Sequence, residues 1–161
     1  MKTPIRDTES VMAMQVCFVT DDIERTLAFF GDIIGKPTPE IGKEPPVELA
    51  RPRYLGEDTN IGFRQAAFTW RNTIIEFIEP DQTPSAWRDW LDRHGPSVHH
   101  LGFTVPDMDA ASESLTEAGV PTLQDGHFPG GRYAYTDSEK QLGTLIELLE
   151  IDPAAVPEDS K

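Results

Sequence analysis

The chain has 161 residues, enough for one domain or two fused half-domains. Its 28 acidic residues against 14 basic ones give a formal net charge of −14, which repels nucleic acid and anionic membrane surfaces and excludes both as expected partners. The single cysteine, Cys17, excludes an internal disulfide, residues 1–10 lack the apolar stretch of a secretory signal, and no run of about 18 apolar residues is present to span a bilayer; together these point to a cytoplasmic protein.

In chain order, residues 1–11 read as a polar N-terminal arm. Residues 12–20 read as a strand with Gln15 inside it. Asp21 or Asp22 caps a helix whose apolar face is Ile23, Leu27, Phe30 and Ile34, closed by Gly35 and Pro37. Residues 36–60 carry five prolines and many charges, and a long excursion of that kind is often functional. A strand at 62–70, a turn at Arg71-Asn72 and a strand at 73–79 complete a first half, 12–80. A helical linker follows at 81–97, with Ser85 as N-cap, Trp87, Trp90, Leu91 and His94 on one face, and Gly95 at its end. The second half, 98–151, has a strand from His99 to Val105 and a helix capped by Asp107 with Met108, Ala111, Leu115 and Ala118 as its apolar face. Strands at 122–128, 132–136 and 144–150 follow. Residues 152–161 form a polar tail.

The two halves repeat. Thr73-Ile74-Ile75-Glu76-Phe77-Ile78-Glu79 matches Thr144-Leu145-Ile146-Glu147-Leu148-Leu149-Glu150 position by position in kind. The stretch from Gln15 to Ile23 lies over that from His100 to Met108. Repeats of this period mean two packed copies of one unit, here strand, helix, then about three strands. In a strand Glu147 shares a face with Leu145 and Leu149, and a bare carboxylate buried there costs several kcal/mol unless a cation or donor meets it.

Gln15, Glu76, His100 and Glu147 thus occupy matched positions, with a small residue, Cys17 or Gly102, two places after each first-strand polar group. A lone Gln, His or Glu in a strand is more often plain structure; the match across the repeat is what favours convergence about a pseudo-twofold axis. One imidazole, one amide and two carboxylates suit Zn²⁺, Ni²⁺, Co²⁺ or Mn²⁺, with positions left open for water or substrate. Strand parity places His99 on the opposite face from His100, as packing or surface. His94 reads as helix core or cap, and His127 as a residue that can line a pocket. Arg51, Arg53, Arg64 and Arg132 are candidate contacts for a substrate anion, or solvated surface charges.

Through the stretches 15–23, 75–80, 98–103 and 146–150, the chain resembles the vicinal oxygen chelate superfamily, which includes glyoxalase I, methylmalonyl-CoA epimerase, extradiol dioxygenases and antibiotic-resistance binding proteins. The resemblance covers about residues 12–151. It implies an α+β fold of two βαβββ modules forming a sheet-lined metal-binding cleft, with Gln15, Glu76, His100 and Glu147 as the metal ligands. A Gln-Glu-His-Glu set is similar to that of eukaryotic glyoxalase I, but the arginine that glyoxalase I places four residues after its first ligand is Val19 here. The helix running from Trp87 into His99-His100 is more similar to the epimerases, which themselves usually have His first and Gln at the Glu76 position.

The implied chemistry is proton transfer next to a carbonyl or thioester through a metal-stabilised enolate, by an isomerase, epimerase or lyase with Glu147 and Glu76 as catalytic acids and bases. A single histidine argues against the two-histidine, one-carboxylate iron site of an oxygenase. The alternative is a small-molecule binding or resistance protein of the same fold without turnover. Exposed sheet edges and the acidic excursion point to a homodimer.

Overall fold

A computed structural model describes residues 13–155. The elements run β1 (Ala13–Val19), α1 (Ile23–Ile34), β2 (Gly42–Lys43), α2 (Val47–Ala50), β3 (Arg53–Tyr54), β4 (Glu57–Asp58), β5 (Phe63–Trp70), β6 (Thr73–Pro80), α3 (Ala86–His94), β7 (Ser97–Thr104), α4 (Met108–Glu117), β8 (Thr122–Phe128), β9 (Gly131–Thr136), α5 (Glu139–Leu142) and β10 (Leu145–Ile151), with a 3₁₀ turn at Pro153–Ala155. The N-terminal arm and the last residues of the polar tail lie outside the described residues. None of the described helices is long and apolar enough to cross a membrane.

The expected α+β fold of two βαβββ modules is what the chain adopts. One curled mixed sheet has the order β2-β5-β6-β1-β7-β10-β9-β8-β3-β4. Within the first half β1 lies parallel to β6; within the second β7 lies parallel to β10. The halves meet at one seam, the antiparallel pair β1–β7, so β6 and β10 flank that seam symmetrically. The excursion serves both halves, since β2 extends β5 while the β3–β4 hairpin crosses to pair with β8 at the far edge. Both outermost strands are two residues long, which leaves little unpaired backbone at either edge.

Strand alternation divides the apolar residues between two faces. On the outer face α1 covers Ala66, Phe68 and Phe77 with Ile23 and Leu27, and α4 covers Ala134 and Leu148 with Met108 and Ala111. On the inner face α3 packs Trp87, Trp90 and Leu91 against Cys17, Val19, Ile78, Tyr135 and Leu145. The caps are those expected from sequence: Asp22 accepts from Arg25 N–H, Ser85 from Arg88 N–H and Asp107 from Ala110 N–H. His94 is not in the core of α3. It is exposed, packs against the Trp90 ring at 4.4 Å and pairs with Glu139 at 2.8 Å.

The second acid of each repeat locks the helix above it. Glu79 Oε2 accepts from Ile23 N–H at 2.8 Å, and Glu150 Oε2 from Met108 N–H at 2.7 Å. A carboxylate at a helix N-terminus satisfies an orphan donor and meets the positive end of the helix dipole. Arg64 then bridges Glu79 and Glu24, and Arg132 bridges Glu150 and Asp109. These two arginines are therefore struts between strand and helix and do not line the main cavity, and Arg53 is likewise tied to Asp125 at 3.0 Å. Arg51 caps α2 and donates to the Glu48 carbonyl.

This lock gives a stability prediction. Removing a charge-assisted acceptor at a helix N-terminus costs about 1–3 kcal/mol, so Glu150→Ala should lower the unfolding free energy by that amount, read as a lower urea midpoint at unchanged slope, with Glu150→Gln losing less. Arg132, then Met108 N–H, hold the Glu150 carboxyl below its ordinary range. The contribution is present above the unfolded carboxylate value and disappears as pH falls through the lowered folded value. An unchanged midpoint at neutral pH would show that the lock contributes nothing.

Candidate active site

The first acid of each repeat faces the opposite way, into the inner side of the sheet. Because β1 pairs with β6 in register Cys17↔Glu76 and with β7 in register Gln15↔Gly102 and Cys17↔His100, Glu76 and His100 flank Cys17 on adjoining strands. Because β10 pairs with β7 in register Glu147↔Gly102, Glu147 arrives beside Gly102 from the other side. All four residues singled out by sequence converge. Gln15 Nε2 lies 2.5 Å from Glu147 Oε2, 3.1 Å from His100 Nε2 and 3.5 Å from Glu76 Oε2. His100 Nε2 lies 3.2 Å from Glu147 Oε2 and 3.6 Å from Glu76 Oε2.

The arrangement fits a divalent cation. Donor atoms held about 2.1 Å from one ion sit roughly 3.0–3.4 Å from one another, depending on coordination number, and His100 Nε2 stands near that spacing from both carboxylates, at 3.2 Å and 3.6 Å. Charge points the same way: the Glu147 side chain is 4% exposed and that of Glu76 17%, and among the described residues neither meets a lysine or arginine. Two enclosed carboxylates without a cation are costly. Gln15 turns its NH₂ toward the acids here; rotation of the same amide presents its oxygen to a metal. Gly102 supplies the room, for a Cβ there would stand 2.5 Å from Gln15 Cγ and 2.9 Å from Glu147 Oε2.

Two residues enter the site that sequence did not assign to it. Cys17 is fully buried, and its sulfur, a Glu76 oxygen and a His100 ring nitrogen lie within 4.8 Å of one another. Burial, and then the Glu76 charge, push the Cys17 thiol well above its ordinary range, so it stays protonated, and its sulfur donates to the Phe18 carbonyl at 3.6 Å. Its signal was present in the strand parity with Gln15, but a small residue there reads as filler. The second is His99, which parity put on the outer face. Along the seam Cys17 faces His100 while Phe18 faces Val98, leaving His99 as the extra residue of a bulge. A bulge breaks alternation, and both imidazoles are fully buried with their Nδ1 atoms 2.8 Å apart.

Gln15, Glu76 and Glu147 line a cavity of about 510 Å³ together with Trp87, Tyr133 and Tyr135. His127 and Gln65 also line it, as expected for His127. Tyr135 packs against the His100 ring at 4.7 Å, and burial followed by the Glu147 charge keeps its phenol protonated. Burial, partly offset by His100, pushes the Glu76 carboxyl up to about 7. A carboxylate with that value can both accept and return a proton near neutral pH.

Comparison with known proteins places this geometry. Residues 14–136 match the model of the glyoxalase/bleomycin resistance protein/dioxygenase superfamily. The chain is 27% identical over 161 residues to a 2-epi-5-epi-valiolone epimerase of an Actinomyces species, covering 92% of this chain and 83% of the relative. Its fold is similar to methylmalonyl-CoA epimerase from Mycobacterium tuberculosis, with 21% identity, a TM-score of 0.60, and 92% of this chain and 94% of that one covered. A variant of 4-hydroxymandelate synthase from Streptomyces coelicolor is similar in fold at 17% identity and TM-score 0.60 over 91% of this chain, but over only 50% of its own.

The raised Glu76 value fixes a sign for pH dependence. Between about 4.5 and 7 the folded metal-free chain keeps a proton that the unfolded chain has released. Its stability should therefore fall as pH rises through that window, by at most about 3 kcal/mol. Glu76→Gln should flatten the slope, and Zn²⁺, which binds the ionised form, should raise stability above pH 7. Chemical denaturation at several pH values checks this; a stability that climbs from 4.5 to 7 in wild type and not in the variant contradicts it.

Proposed function

Since the chain belongs to the glyoxalase/bleomycin resistance protein/dioxygenase superfamily, we propose that it is a divalent-metal-dependent epimerase acting by proton transfer at a carbon next to a carbonyl. The observation that carries this reading is the meeting of Glu76 and Glu147 at His100, with both acids lining a partly open cavity. Gln15, Glu76, His100 and Glu147 are the residues that hold the ion. When bound, a divalent cation supplies Lewis-acid polarisation of a carbonyl. The chain's own residues do the rest. One glutamate oxygen takes the proton from the carbon as the C–H electron pair moves into the enolate, and a proton delivered to the other face by the second glutamate re-forms the C–H bond with inverted configuration. Trp87, Tyr133 and Tyr135 wall this chemistry from water and keep its charges in a low-dielectric setting. The epimerase name of the 27%-identical relative supports the same class.

The cavity bears on substrate. Among the described residues Lys43 is the one lysine or arginine in its lining, because Arg53, Arg64 and Arg132 are held in ion pairs elsewhere. A nucleotide thioester carries several phosphate charges toward a chain of net charge −14, so we favour a compact carbonyl compound over a CoA thioester. The methylmalonyl-CoA complex known for a structural relative makes the thioester the natural comparison substrate.

Three measurements test the proposal. Purified protein loaded with Zn²⁺, Ni²⁺, Co²⁺ or Mn²⁺ should hold about one ion per chain. In ²H₂O it should incorporate deuterium next to the carbonyl of a substrate drawn from a panel of cyclic 2-oxo compounds and acyl-CoA thioesters. Glu147→Gln should reduce that exchange about 10²- to 10⁴-fold while the fold survives, and loss of exchange in Glu76→Gln as well assigns a proton-transfer role to each acid. Tight binding of a panel member without any exchange instead favours a sequestering protein. Full exchange in Glu147→Gln overturns the assignment of that residue.

A further inference from the structure

The bulge in β7 has a chemical consequence for His100. In regular pairing His99 and His100 point to opposite faces; the extra residue in the seam brings both rings to the interior, 5.1 Å apart and inclined at 80°. Their Nδ1 atoms, 2.8 Å apart, share one hydrogen, so one ring donates and the other accepts. His100 Nε2 faces Gln15 and the two acids, and a nitrogen that is to hold a cation has to be bare. The hydrogen of His100 is then on Nδ1, and His99 Nδ1 is the acceptor.

The surroundings of His99 hold its ring and backbone in place. With Nδ1 accepting, a neutral His99 carries its own hydrogen on Nε2. That atom is enclosed and has no hydrogen-bond partner among the described residues. The ring is held by edge-to-face contacts with Trp90 at 5.6 Å and Tyr135 at 5.2 Å. Thr144 Oγ1 donates to the His99 carbonyl at 3.0 Å and pins the bulged backbone to the start of β10. His99 thus has a fixed ring, a fixed backbone and a single acceptor aimed at His100.

We propose that His99 is a positioning residue that fixes His100 in its Nδ1–H tautomer and aims the Nε2 lone pair at the ion site. The inference rests on the reading of Gln15, Glu76, His100 and Glu147 as that site. An outer partner of this kind orients the ligand ring and raises its basicity, and its loss typically weakens metal binding about 10- to 100-fold.

The test combines long-range ¹H–¹⁵N imidazole spectra with Zn²⁺ affinity measured by chelator competition, on the full chain. In wild type, His100 should show a protonated Nδ1 and an unprotonated Nε2. His99→Phe keeps an aromatic ring but removes the acceptor, and should release the His100 tautomer and lower Zn²⁺ affinity about 10- to 100-fold. His99→Asn restores an acceptor oxygen near Nδ1 and should recover most of the affinity, a rescue that a purely space-filling role does not produce. A protonated Nε2 on His100 in wild type, or undiminished affinity in His99→Phe, overturns the inference. If His99→Phe does not fold, the wild-type spectrum and His99→Asn decide. If wild type binds no Zn²⁺, the proposed function fails, while the tautomer spectrum still decides the part played by His99.

Discussion

Two like charges held in one enclosed space repel each other and resist desolvation, and Glu76 and Glu147 are held in that way. The sheet gives neither a lysine nor an arginine; it gives one imidazole and one amide, both within 3.6 Å of their oxygens. Such a cluster is unfavourable for folding of the bare chain and favourable for capturing a cation, and the two properties share one cause. The β1–β7 seam creates the cluster. Each half brings its acid on the strand parallel to its first strand, and antiparallel joining of the first strands turns the two acids toward one another.

The repeated motif contains two acids three residues apart, and strand alternation sends them to opposite faces. Glu76 and Glu147 go inward to the cavity. Glu79 and Glu150 go outward to the N-termini of α1 and α4, where arginine completes each lock. The same strand therefore carries a functional charge on one face and a stabilising one on the other. Rigid seating of β6 and β10 under the helices fixes where the inward acids stand, and this links the outer ion pairs to the geometry of the site. It also holds Arg64 and Arg132 in ion pairs away from the cavity, whose lining is rich in aromatic rings and poor in cations.

Much of this was legible in the sequence because it follows period two and an internal repeat. The strands, the caps at Asp22, Ser85 and Asp107, the Gln15-Glu76-His100-Glu147 convergence and the βαβββ pairing all depend on patterns that a few residues reveal. What was not legible depends on distant partners. The excursion gives one strand to one edge of the sheet and a two-stranded hairpin to the other, a choice made by long-range pairing with β5 and β8. Parity misplaced His99 because one inserted residue in a strand shifts every face assignment on one side of it. His94 fits an apolar helical spacing, yet its ring lies on the outside of Trp90, where Glu139 of the unforeseen helix α5 can meet it. Cys17 looked like a gap between polar residues and is instead a protonated thiol against Glu76.

A duplicated unit begins with two equivalent acids, and proton exchange across a substrate gains from making them unequal. Within the site, the departures from symmetry fall at the seam. Gln15 stands opposite His100 in the repeat, so one half contributes a neutral amide and the other a basic nitrogen. Cys17 stands where the second half has Gly102, placing a thiol beside Glu76 and, at the glycine, room that the Gln15 and Glu147 side chains fill. The bulge lies in β7 next to His100 and gives that ring an inner neighbour, while the other irregularity of the pair falls between Ala13 and Gln15. The outer ion-pair locks, by contrast, are the same in both halves. Symmetry persists where the task is to hold a helix on a sheet, and it is broken where one acid is set beside a thiol donor and the other beside an amide.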